Sequence, residues 1–183
     1  MRSRNLFSLA IVVLIFCACS SLTQTKWETV NEGGFTAQMP GTPKRQTQSV
    51  NAGGTNIDIT MLTVEGSNEA FIVGYNDIPS AMASAVDSNT DTFLNNAREG
   101  AVGNVHGHVT NEHAITLDGH PGKEFTGDGT SPDDPKQEVT FTARVYWVNP
   151  HLYQVLYLRP KTTAAPSENG QKFLDSFKLT GGK

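Results

Sequence analysis

Hydrophobic and polar residues alternate most regularly between Val139 and Arg159. Val139, Phe141, Ala143, Val145 and Trp147 fall on one face of an extended chain, and Thr140, Thr142, Arg144 and Tyr146 on the other. This period of two marks a half-buried strand. Asn149-Pro150 breaks the run, and a second arm follows in which Leu152, Leu156 and Leu158 alternate with Tyr153, Val155 and Tyr157. Both faces of that arm are apolar, so it is predicted to be a central strand covered on each side. The two arms read as one hairpin, with Trp147, Tyr146, Tyr153 and Tyr157 as core aromatics and Arg144 in a structural ion pair.

Weaker alternation runs through the preceding residues. Gly33-Gly34 introduce a strand over Phe35–Met39 that ends at the turn Pro40-Gly41-Thr42-Pro43. Lys44–Val50 and Ile57–Val64 form a hairpin across Asn51-Ala52-Gly53-Gly54, and Glu69–Tyr75 adds a fourth strand, which together read as one antiparallel meander. The pattern then changes period. Ser88-Asn89-Thr90-Asp91 has capping-box spacing, and Phe93, Leu94, Ala97 and Ala101 recur as on a helix that Gly100 and Gly103 interrupt. Val109–Leu117 and Gly122–Thr126 form a hairpin turned at Asp118-Gly119-His120-Pro121. Gly127–Gln137 has the composition of an exposed loop, and Ala165–Phe177 that of a helix with a stripe of Phe173, Leu174 and Phe177, Leu179 making an edge contact beyond it. Strands, a helix, further strands and a helix define an α+β domain with an antiparallel sheet of about six to eight strands flanked by helices.

The N-terminus has a different character. Arg2 and Arg4 precede the apolar run Leu6–Ala18, which has the length of a secretory signal and is short for a membrane span. Residues 1–18 are therefore expected to be a signal peptide. The chain's two cysteines, Cys17 and Cys19, close this run in Phe16-Cys17-Ala18-Cys19-Ser20-Ser21. That segment resembles the lipobox of bacterial lipoproteins, with Ala18 as the small residue before the acylated Cys19; Phe16 departs from the aliphatic residue usual three positions back. The residues also admit ordinary cleavage after Ser20, or an uncleaved anchor with incidental cysteines. Acylation would hold the protein on a membrane, at about 0.8 kcal/mol per buried CH₂. The resemblance to lipoprotein sorting in Gram-negative bacteria places a chain with Ser20 after the cysteine in the outer membrane, facing the periplasm. Residues 19–26 then form a polar tether and 27–183 one domain.

Charge narrows the partners. The formal net charge of −4, less the two positive charges of Arg2 and Arg4, leaves −6 on the mature chain, and its basic residues do not cluster. Nucleic acid is excluded as a partner on these grounds. With no cysteine after Cys19, the domain holds no disulfide and no thiolate nucleophile or metal site, and no Gly-x-Ser-x-Gly elbow occurs. Ser176 lies within the last predicted helix, beside core aromatics. His106 and His108 are two apart and would share a strand face, with Glu112 as a third ligand and His113 and His120 nearby; this metal site is an alternative to plain surface histidines. Asp128, Asp133 and Asp134 lack the ordered oxygen spacing of a calcium loop. No cofactor is expected.

GFTAQMPGTP, LDGHPGKEF and KFLDSFKL resemble small exported bacterial proteins of the PsbP-like, Mog1/PsbP-type fold. The resemblance implies an α/β/α sandwich and a binding or accessory role: photosynthetic relatives support an oxygen-evolving membrane complex, and Mog1 relatives bind a small GTPase. It carries over no functional residue. The reading is a lipid-anchored envelope protein that is a non-enzymatic module for a protein partner or small ligand. An envelope hydrolase with a dispersed site and a histidine-based metal binder are the alternatives.

Overall fold

The computed structural model describes residues 26–52, 55–66, 68–132, 134–162 and 168–181. The described residues begin with a hairpin of β1 (Glu28–Glu32) and β2 (Phe35–Met39), turned at Gly33 and Gly34, whose φ values of 57° and 81° suit glycine. β10 (Lys178–Leu179), at the far end of the chain, pairs with the other edge of β2. These strands make a three-stranded sheet of their own, separate from the main sheet. The expected single meander is thus divided, because Phe35, Ala37 and Met39 all turn one face inward and are buried against the main sheet rather than continuing it.

The main sheet has seven antiparallel strands in the order β3-β4-β5-β9-β8-β7-β6. They are β3 (Lys44–Ala52), β4 (Thr55–Glu65), β5 (Ala70–Asp77), β6 (His108–Leu117), β7 (His120–Thr130), β8 (Glu138–Val148) and β9 (His151–Pro160). The expected hairpin is β8–β9, joined through a cis Asn149-Pro150 bond, and β9 is central as its two apolar faces require. Asp118 and Gly119, at φ 50° and 84°, make the two-residue turn between β6 and β7.

Two cores lie on opposite faces of this sheet. On one, Leu62, Val64, Phe71, Val73, Tyr153, Val155 and Tyr157 meet β2 and α3 (Glu168–Ser176), which contributes Phe173 and Leu174. Phe35 sits among Tyr75, Tyr153 and Phe177 at centroid distances of 5.5, 5.8 and 5.1 Å. Fully burying one such side chain is worth about 1.5–3 kcal/mol. On the other face, Phe125, Phe141, Ala143, Val145 and Trp147 meet α1 (Ser80–Ser88) and α2 (Thr90–Asn104), the latter through Leu94, Ala101 and Val102.

Several local expectations change. α1 lacks a clear apolar stripe and buries only Ala83; it is held instead by Asp87, which accepts from Trp147 Nε1 and Asn149 Nδ2, each at 2.7 Å. The capping box is not formed, since Ser88 belongs to α1 and donates to the Ser84 carbonyl at 2.9 Å, and Asn89 begins α2 without a side-chain cap bond. α2 runs through Gly100 and Gly103 to Asn104, the burial of Ala101 and Val102 overriding the glycines' weak helix propensity. Gly127 and Asp128 lie in β7 rather than in an exposed loop.

Candidate binding cleft

α2 packs on β7 and β8, and at the end of the same sheet face where β4 meets β5 and β9 finishes, the lining residues belong to strands and their connections. A cleft of about 240 Å³ opens there. Its floor follows from register: Thr63 lies opposite Ile72, and Ala70 opposite Leu158, with Val139 opposite Pro160 at the margin. One wall is the β4–β5 turn, closed where Gly66 N–H donates to the Glu69 carbonyl at 2.7 Å. The Glu69 carboxylate accepts from Tyr157 Oη at 2.5 Å and Asn169 Nδ2 at 3.4 Å, so it is pinned to β9 and α3. The other wall is the segment between β7 and β8, where Ser131 N–H donates to Gln137 O and Gln137 N–H to Asp134 O, both at 2.9 Å. The result is an apolar floor under a polar rim that carries the exposed carboxylates of Glu65 and Asp134. Such a surface suits recognition of a ligand with an apolar body.

Two charged networks elsewhere join elements. Arg144 of β8 reaches Glu124 of β7 at 2.5 Å and Asp175 of α3 at 2.9 Å, and donates to the Leu174 carbonyl at 2.9 Å. This is the ion pair expected for Arg144. On the α2 side, Glu112 of β6 accepts from Arg98 and, at 3.2 Å, from Lys123, which also meets Asp91 at 2.8 Å. The hydrogen bond from Arg98 holds the Glu112 carboxyl below its ordinary range, and Lys123 does the same for Asp91. Both carboxylates are therefore kept ionised, the opposite of what a general acid requires. Burial pushes the Tyr153 hydroxyl up to about 12, and it donates to the Gly33 carbonyl at 2.8 Å.

The sequence-selected residues are dispersed. Cys19 and Cys17 lie outside the described residues, as do the proposed tether before Lys26 and Asp133. His106 and His108 do not share a strand face: His106 occupies a left-handed turn at φ 45°, and β6 starts only at His108. Glu112, their expected third ligand, is taken by Arg98 and Lys123, and no three His, Cys, Asp or Glu among the described residues gather as a metal group. Asp128 pairs with Lys161 at 3.1 Å, away from calcium-type spacing. Ser176 accepts from Gln38 N–H at 2.8 Å and donates to Phe173 O at 2.6 Å, tying α3 to β2. Trp147, Tyr146, Tyr153 and Tyr157 are buried in the two cores. The cleft was not foreseen as a site. Its signal was the second apolar face of β9, part of which, at Leu158, lines the cleft.

A seven-stranded antiparallel sheet between α1 and α2 on one face and α3 with a small sheet on the other defines an α+β, PsbP-like fold. The chain is similar to the solution structure of cyanobacterial PsbP, CyanoP, from Synechocystis sp. PCC 6803, with TM-score 0.50 and 14% identity over 90% of this chain and 98% of that one. A Pseudomonas aeruginosa protein of unknown function, described as a putative regulator, matches at TM-score 0.39 and 7% identity, covering 63% of this chain and 83% of its own. No protein-family model and no curated protein matches the sequence.

Proposed function

We propose that the protein is exported, anchored by acylation of Cys19 to the outer membrane facing the periplasm, and acts there as a non-enzymatic binding or accessory module. Its ligand, a protein or a small molecule, occupies the cleft between the β4–β5 turn and the β7–β8 segment. The observation that carries this reading is the contrast between the cleft and the two charged networks that join elements. The cleft offers an apolar floor of Ala70, Ile72 and Leu158 with the exposed carboxylates of Glu65 and Asp134 at its rim, whereas Asp91, Glu112, Glu124, Arg144 and Lys123 are consumed in bonds between elements. Pockets of this kind bind through shape and apolar area, with polar groups setting orientation. The PsbP-like fold supports the reading as an architecture.

Affinity capture of the anchored protein from its own envelope tests it, run beside an Asn68→Trp variant that fills the cleft from an exposed rim position. A component recovered with the wild type and lost with the variant is the expected result. Recovery that is the same with both would remove the cleft from the account.

A further inference from the structure

The main sheet ends in two edges of different kinds. β6 is interrupted by a bulge between Val109 and Asn111, where Thr110 Oγ1 donates to the Thr126 carbonyl, and a bulge spoils an edge for a further strand. β3 has no such guard. Its nine residues lie in unbroken register with β4, from Lys44 opposite Thr63 to Ala52 opposite Thr55, and residues 44–51 are all exposed. No proline falls among them. Arg45, the charged residue best placed to block the edge, turns away from it: its guanidinium lies back over the sheet, 3.3 Å from Tyr75 Oη and 3.5 Å from Glu32 Oε1. Two residues separate Ala52 from Thr55, so the pair flanking them is a hydrogen-bonded one, and Lys44, Gln46, Gln48 and Val50 turn their backbone groups toward β4 in step with it. Arg45, Thr47 and Ser49 turn theirs outward, where no described residue meets them.

A second copy of the same edge fits this row. Set antiparallel across a two-fold axis at Gln48, the two strands overlap along their whole length, and Thr47 and Ser49 of each exchange backbone hydrogen bonds with Ser49 and Thr47 of the other. Lys44 then stands opposite Ala52, Arg45 opposite Asn51, Gln46 opposite Val50 and Thr47 opposite Ser49. No like charges face each other, two hydroxyl residues meet, and Val50, 39% exposed in the single chain, is covered. The basic ends of the two strands are about 27 Å apart, well beyond the screening length at physiological salt. Sliding the strands by two residues toward Lys44 brings in Pro43, which has no N–H to give, and sliding them the other way shortens the overlap. We propose that the protein forms a two-fold dimer in which the β3 edges of two copies pair through residues 44–52 and join the two seven-stranded sheets into one.

The test uses the full chain in intact cells, with one cysteine introduced in β3 and disulfides formed by diamide. The axis puts the two Gln48 Cα atoms about 4.5 Å apart, within disulfide reach, and the two Val50 Cα atoms about 14 Å apart, outside it. Gln48→Cys should therefore cross-link to a dimer several-fold more than Val50→Cys alone, and Val50→Cys produced together with Gln46→Cys should regain the cross-link. The wild type, whose cysteines are Cys17 and Cys19, sets the background. Adding Ser49→Pro to Gln48→Cys removes an outward N–H, leaves the ladder to β4 intact, and should lower the dimer several-fold. Val50→Cys cross-linking as well as Gln48→Cys, a dimer indifferent to Ser49→Pro, Gln48→Cys joined to a different protein, or no cross-link above background would each overturn the pairing.

Discussion

Tyr153 of β9 and Gly33 of the β1–β2 turn are joined by a 2.8 Å hydrogen bond from the tyrosine hydroxyl to the glycine carbonyl. This bond ties the centre of the seven-stranded sheet to the small sheet, and Gly34 leaves room for it, since a Cβ there would stand 2.8 Å from the same hydroxyl. Tyr153→Phe keeps the ring against Phe35 and Phe177 but leaves the carbonyl without its donor. Urea unfolding should show a loss of about 1–3 kcal/mol. An unchanged midpoint would mean that water replaces the bond freely.

Arg144 gives a larger expected effect. Its guanidinium joins β7, β8 and the end of α3, and Glu124 beside it is only 20% exposed. Arg144→Ala should cost about 3–5 kcal/mol, because the partly buried Glu124 carboxylate loses its guanidinium and keeps only His113, 3.7 Å away. Combining Arg144→Met with Glu124→Gln should cost less than the sum of the single changes, by about 0.5–3 kcal/mol in a double-mutant cycle. Additive losses would show that the two side chains act separately.

The α2 network predicts a pH dependence with a defined sign. Asp91 and Glu112 are lowered in the folded protein from ordinary values of 3.8 and 4.5. Groups of this kind contribute stability above their unfolded values and lose it as pH falls through the folded ones. Protection factors of α2 amides, exchange rates taken relative to the intrinsic rate at each pH, should therefore fall below about pH 4.5, more steeply in the wild type than in Glu112→Gln. Equal slopes in the two proteins would remove Glu112 as the cause.

How much of this was legible depended on whether the determining contacts were local. The β8–β9 hairpin and the stripe on α3 were written in periodicity, because each buries one regular face. The Asp118-Gly119 turn was legible from its backbone requirement. Gly127 and Gly129 have the look of loop residues, which ends the expected strand at Thr126, whereas β7 runs on to Thr130. They are instead glycines under close approach: a Cβ at Gly127 would lie 2.2 Å from the His108 carbonyl, and one at Gly129 2.4 Å from that of Val105. Their spacing of two, continuing from Phe125, was the available signal. The split into two sheets was not legible, since it depends on β10 returning from the far end of the chain to pair with β2. The cleft forms where the β4–β5 and β7–β8 connections, far apart in the chain, meet over one end of the sheet, which no local pattern encodes.

The central claim is that Cys19 fixes where this domain works. Fractionation of cells expressing the wild type and Cys19→Ala tests it most directly, with detergent-free flotation separating membrane from soluble material. The account predicts that the wild type floats with membranes and that Cys19→Ala, two acyl chains or more poorer, is soluble in the periplasm. A variant that still floats, or a wild type that does not, would contradict it.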